Sequence, residues 1–136
     1  MGNVYAEITL KNSWDVTNVG RGIISDKEVR TLTLTALVDT GASTLVINED
    51  ICRQLGLSIV ETHTATLAGG VRKECKITEP VQIHWKDRQV ACNALVLPEG
   101  DALLGIIPLE FMDLMIDPIR RELTGAHGDQ IVTLVM

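Results

Sequence analysis

The chain predicts a closed, mostly antiparallel β fold with one or two short helices. Three observations carry that prediction. Short apolar segments recur along the 136 residues, several alternating with polar ones at the two-residue period of a half-buried strand. Clusters of glycine, proline, asparagine and aspartate punctuate them at short intervals. Aromatic residues are only 3% of a composition that is 46% hydrophobic, so a core has to be assembled from Leu, Ile, Val and Ala. The length predicts one domain, residues 1–136, able to bury such a core.

The elements follow in order. Val4, Ala6, Ile8 and Leu10 alternate with Tyr5, Glu7, Thr9 and Lys11 as a first strand. Residues 12–26 are turn-rich, with Gly20 and Gly22, and read as a loop or a wide hairpin. Leu32, Leu34, Ala36 and Val38 alternate with three threonines as the clearest strand, which ends at Asp39. Residues 44–47 form a short strand. Asn48 is then a helix N-cap, Glu49 and Asp50 suit the positive helix end, and Gly56 closes the helix.

Residues 57–67 and 72–78 read as the arms of a hairpin turning at Ala68-Gly69-Gly70-Val71. Val81, Ile83 and Trp85 alternate in a further strand. A turn at Lys86-Asp87-Arg88-Gln89 leads to its partner, with Val90, Cys92, Ala94 and Val96. Residues 108–112 suit a short helix, Leu114-Met115-Ile116 a strand before a turn at Asp117-Pro118, and residues 130–135 a last β-prone segment.

Charge and spacing exclude several classes of function. A formal charge of −6 without a basic cluster argues against nucleic acid, because nothing would neutralise phosphates. Arg72-Lys73 and Arg120-Arg121 are short, isolated and read as solvated. No apolar run spans a bilayer, and Met1-Gly2-Asn3-Val4-Tyr5 lacks the charged start and long apolar stretch of a leader. Cys52, Cys75 and Cys92 are odd in number and widely spaced, which predicts reduced thiols in a cytoplasm. With His63, His84 and His127 they offer no metal-ligand spacing, so neither metal nor cofactor is expected. Trp14 and Trp85 are expected to pack, and Asp101 and Asp117 to serve turns.

The most informative stretch is Ala36-Leu37-Val38-Asp39-Thr40-Gly41-Ala42-Ser43. An apolar strand carries a carboxylate out of the core. A hydroxyl follows that can hold the turn, then a glycine that lets backbone or substrate approach closely. Downstream, Asp101-Ala102-Leu103-Leu104-Gly105-Ile106-Ile107-Pro108-Leu109 sets an apolar pair and a glycine before a helix start. In this order the two motifs resemble the aspartic proteases, and the chain is similar to their single-lobe, retroviral type. The likeness runs from about residue 27 onward.

That resemblance implies chemistry by two carboxylates sharing a proton, whose ionisations are driven apart by the repulsion of close like charges. The chain holds one Asp-Thr-Gly, so the second acid has to come from a second copy across a twofold axis. The expected partners are therefore another copy of the chain and a peptide or protein substrate.

The resemblance assigns Asp39 as the catalytic acid, Thr40 as the lock between the two loops, and Gly41 as a backbone contact. It places substrate against Ala42 and against Leu67, Ala68, Gly69 and Gly70 at the tip of a closing flap. The same glycines also suit an ordinary hairpin turn. Leu104 and Gly105 would back the active-site loop. The terminal segments, residues 4–10 and 131–135, either interleave between two chains or pair within one. Three features depart from the retroviral pattern: a single Gly-Gly beside Arg72-Lys73, Ile106-Ile107-Pro108 after Gly105, and the extra segment 12–26, which could lie over the interface or the cleft. The alternative function is a non-catalytic dimerisation or peptide-binding module that takes extended peptides by strand addition.

Overall fold

The computed structural model describes residues 2–66 and 68–131. The chain order is β1 (Tyr5–Asn12), α1 (Ser13–Gly20), β2 (Thr31–Val38), β3 (Leu45–Asn48), α2 (Glu49–Gln54), β4 (Ile59–Thr66), β5 (Arg72–Trp85), β6 (Arg88–Leu97), β7 (Leu103–Leu104), α3 (Ile106–Phe111), β8 (Leu114–Asp117) and β9 (Glu122–Gly125). The protein is mostly β, as its alternating segments predict.

Seven strands form one sheet in the order β1-β2-β7-β3-β6-β5-β4. The far end of β1 also pairs with β5, from Thr9 opposite His84 to Asn12 opposite Val81, so six strands are linked in a ring of pairings and β4 hangs from β5. Pairings are antiparallel except β2 with β7 and β3 with β6. Strands β8 and β9 form a separate antiparallel pair.

The core lies on one face of this sheet. Val38, Leu104, Leu45 and Ala94 are successive cross-strand neighbours, Ile47 pairs with Val96, and all are buried in the main cluster with Cys52 and Leu55. Burying each large aliphatic side chain contributes about 1.5–3 kcal/mol. Helix α2 covers part of this face. Its N-cap Asn48 accepts the Ile51 amide at 2.9 Å, and Gly56 follows in the left-handed conformation with φ of 61°.

The structure corrects three expectations. Residues 12–26 are not simply a loop: they contain the eight-residue helix α1, which makes three α-helices among the described residues instead of one or two. Asn12, fully buried, starts it by accepting the Asp15 amide at 3.1 Å. Arg88 belongs to β6 and is buried, so the turn before it is only Lys86-Asp87. Trp14 is 59% exposed, whereas Trp85 is buried as expected. In addition, β1 pairs along its length with β2 of its own chain, one of the two arrangements expected for the N-terminal segment. The β-prone tail 132–135 lies outside the described residues.

The β1–β2 register also locates the extra segment. It joins Asn12 to Thr31, at the end of β2 opposite Asp39. Eight residues of strand at about 3.3 Å each put roughly 25 Å between them, so within its own chain this segment does not cover Asp39.

Candidate active site

Asp39 leaves β2 at its C-terminal end, half-buried. Its amide donates to the Leu104 carbonyl at 3.0 Å, extending the parallel β2–β7 ladder by one bond. One carboxylate oxygen, Oδ1, accepts the Gly41 amide at 2.9 Å, and the Asp39 carbonyl accepts the Ala42 amide at 3.0 Å. The loop is therefore a tight Asx-type turn about the acid itself. A Cβ on Gly41 would stand 3.1 Å from Oδ1, which explains a glycine here by closeness to the carboxylate. Thr40 is exposed, and among the described residues its hydroxyl makes no hydrogen bond.

The second motif braces that loop. The Ile106 amide donates to the Ala42 carbonyl at 2.9 Å and the Ile107 amide to the Ser43 carbonyl at 3.0 Å. The orphan amides of the first turn of α3 are thus satisfied by the Asp39 loop. Gly105, the N-cap residue of α3, lies directly against this backbone. A Cβ there would meet Thr44 O at 2.3 Å and Ala42 O at 2.7 Å. Leu104 is fully buried beneath it. The structure brings together Asp39, Thr40, Gly41, Ala42, Leu104 and Gly105.

Gly69 and Gly70 sit apart in sequence at the turn between β4 and β5. Both are left-handed, with φ of 84° and 78°, a conformation that strains other residues. This requirement alone accounts for the Gly-Gly. Ala68 belongs to the same short 3-10 turn, and Leu67 lies outside the described residues.

The registers reveal a feature that residue-by-residue reading misses. Leu37 pairs with Leu103, Leu103 with Val46, Val46 with Leu95, and Leu95 with Ile77. Cross-strand partners share a face, so these five residues form a continuous apolar row. They lie on the face opposite Val38, Leu45 and Val96, and none belongs to or packs against the main core cluster. Asp39, two residues beyond Leu37, continues the strand period onto this side. The structure therefore places the acid at one end of an apolar wall made by β2, β7, β3, β6 and β5. The signal was present in sequence: alternation stops at Ala36-Leu37-Val38 and Leu45-Val46-Ile47, where both faces of a strand are apolar.

Comparison with known proteins now bears on this geometry. A family profile described as "gag-polyprotein putative aspartyl protease" matches residues 25–110, a span that includes both motifs, the hairpin and the wall. The chain belongs to this retroviral-type aspartyl protease family. Among solved structures it is similar to the EIAV protease complexed with the inhibitor HBY-793, at 32% identity. That match covers 54% of this chain and 70% of the EIAV chain, with a TM-score of 0.41. No curated protein matches. As a family member, the protein has its Asp-Thr-Gly and its Leu-Leu-Gly within the matched span, whereas α1 falls before it.

Proposed function

We propose that the protein is an aspartic endopeptidase, active as a homodimer. Asp39 supplies one carboxylate per chain, and the two together activate a water for attack on a peptide carbonyl. One carboxylate takes the proton of the water while the other donates to the carbonyl oxygen, and the pair titrates as a unit. The observation that carries this reading is Asp39 held at the end of a half-buried apolar row outside the main core cluster, in a loop braced by Gly105 and the start of α3.

Further features support the dimer. The exposed Thr40 hydroxyl is available to bond across a twofold axis. Beside the loop, Ile107 is 43% exposed, which is apolar surface a second subunit would cover. Each chain would be one lobe and one domain, with the ring of strand pairings closing as a barrel. The β4–β5 hairpin would fold over an extended peptide, its turn at Gly69 and Gly70 allowing close backbone approach. Ala42 and the residues of this tip would touch substrate. The cysteine count supports a cytoplasmic setting; no helix among the described residues is long and apolar enough to cross a membrane.

The test is a diverse peptide mixture incubated with the protein across about pH 4 to 7, the range a coupled carboxylate pair spans, with new termini read by mass spectrometry. Cleavage by the wild type and not by Asp39→Asn is the expected result. Equal behaviour of two dimeric proteins would replace this reading with the non-catalytic peptide-binding module.

A further inference from the structure

We infer that Lys73 makes the protein prefer substrates with an acidic side chain near an apolar cleavage site. The inference rests on the peptidase reading and adds a substrate class to it. The apolar row of Leu37, Leu103, Val46, Leu95 and Ile77 continues along β5 at the two-residue period, through Cys75 to Lys73. Cys75 is buried, which fixes that side of the hairpin as the one turned toward the molecule. Lys73 is the next residue on the same side, nearer the hairpin tip, and it is exposed.

The neighbouring charges are engaged or face the other way. Lys76 points to the opposite face, where it stands across from Val96 and 3.8 Å from Glu49 of α2. Arg72 and Glu74 alternate to that same opposite side. On the side of Lys73, Glu61 and His63 stand opposite Ile77 and Cys75 and bond each other at 3.0 Å. Among the described residues Lys73 has no ion pair. In a chain of formal charge −6, the wall that starts at Asp39 thus ends in an unpaired ammonium.

An extended peptide under the hairpin would set an apolar side chain against Leu37, Val46, Leu95 and Leu103. A carboxylate farther out would meet Lys73, whose aliphatic stem lies along the rim while its charge stays in water. The contact is solvent-exposed, so its effect is modest and salt-sensitive.

The experiment uses peptides taken from the cleavage screen, each made with Glu or Gln at every position flanking the cleaved bond. They are assayed at about pH 7, where the Glu side chain is ionised. The readout is the Glu/Gln ratio of kcat/KM within each enzyme, so that a general loss of activity in a variant cancels. The wild type should favour Glu about 2- to 5-fold at one or more positions in low salt. Lys73→Gln should bring the ratio to about one, and Lys73→Glu should invert it. A ratio near one in the wild type, or a preference surviving Lys73→Gln, overturns the inference while the peptidase reading stands. Absence of any cleavage by the wild type overturns both. Should the variants not fold, the wild type alone decides: the preference must shrink as salt rises toward 0.5 M, roughly a twofold shorter Debye length than at 0.1 M, and one indifferent to salt is not made by Lys73.

Discussion

The two ends of β2 use polar side chains in opposite ways. At the N-terminal end, Asn12 is fully buried and engaged: it caps α1 through its oxygen, and its amide donates to the Leu55 carbonyl at 2.9 Å and the Gly56 carbonyl at 3.4 Å. Asp15 holds Arg30 by two side-chain bonds of 2.8 and 2.9 Å and also accepts its backbone amide. At the C-terminal end, Asp39 has one oxygen bonded within the loop, the Thr40 hydroxyl has no partner among the described residues, and the adjoining apolar row lies outside the main core cluster. The first end is largely closed upon itself, the buried Ser13 hydroxyl alone among the described residues being without a partner. The second leaves donors, acceptors and apolar surface open, the condition for binding something else.

The sharpest way to break this contrast is Asp39→Asn. Loss of a group acting in proton transfer should lower kcat at least 10²- to 10⁴-fold, with thermal unfolding nearly unmoved. A variant that keeps activity, or that unfolds, would return Asp39 to a structural role. The converse holds at the closed end. Asn12→Ala removes a cap and strands the Leu55 carbonyl, for a cost of about 2–4 kcal/mol by denaturant unfolding. The folded fraction should retain its rate.

Gly105→Ala tests the brace between the two motifs. Its Cβ meets backbone that cannot swing away, so a loss of about 1–3 kcal/mol is expected, together with lower activity as the Asp39 loop shifts. A neutral outcome would mean that the loop moves freely.

The Asp15–Arg30 pair gives a pH signature. The Arg30 hydrogen bonds hold the Asp15 carboxyl below its usual value, against the opposing effect of burial. A carboxyl depressed in the folded state contributes stability that is present above its unfolded value, about 3.9, and is lost as pH falls through the folded one. Asp15→Asn should therefore cost about 1–2 kcal/mol at neutral pH, and the gap to wild type should narrow in urea titrations below about pH 4. The smallest effect is expected from Thr40→Ala: unchanged monomer stability and about a tenfold weaker dimer by sedimentation, or 1.4 kcal/mol.

Much of this was legible in the chain. The Asp39 loop is local chemistry, an acid, a hydroxyl and a glycine at a strand end, and its turn closes within four residues. The cap at Asn48 and the left-handed glycines at 56, 69 and 70 are local for the same reason. Helix α1 was hidden because its residues, Ser, Asp, Thr, Asn and Gly, favour turns, and it forms where Asn12 is fixed by contacts 43 residues away. Arg88 was hidden by its charged neighbours. It is buried because the Met112 and Asp113 carbonyls, far along the chain, accept from its guanidinium at 2.9 and 2.7 Å.

Sequence by itself determined the strand-rich class and the acid with its turn, since each follows from residues adjacent in the chain. Only the tertiary structure decided that Leu37, Val46, Ile77, Leu95 and Leu103 form one wall and that Lys73 stands at its rim. A strand's period tells which residues share its faces, whereas strand order and register decide which strands meet, and those are settled by contacts between segments tens of residues apart.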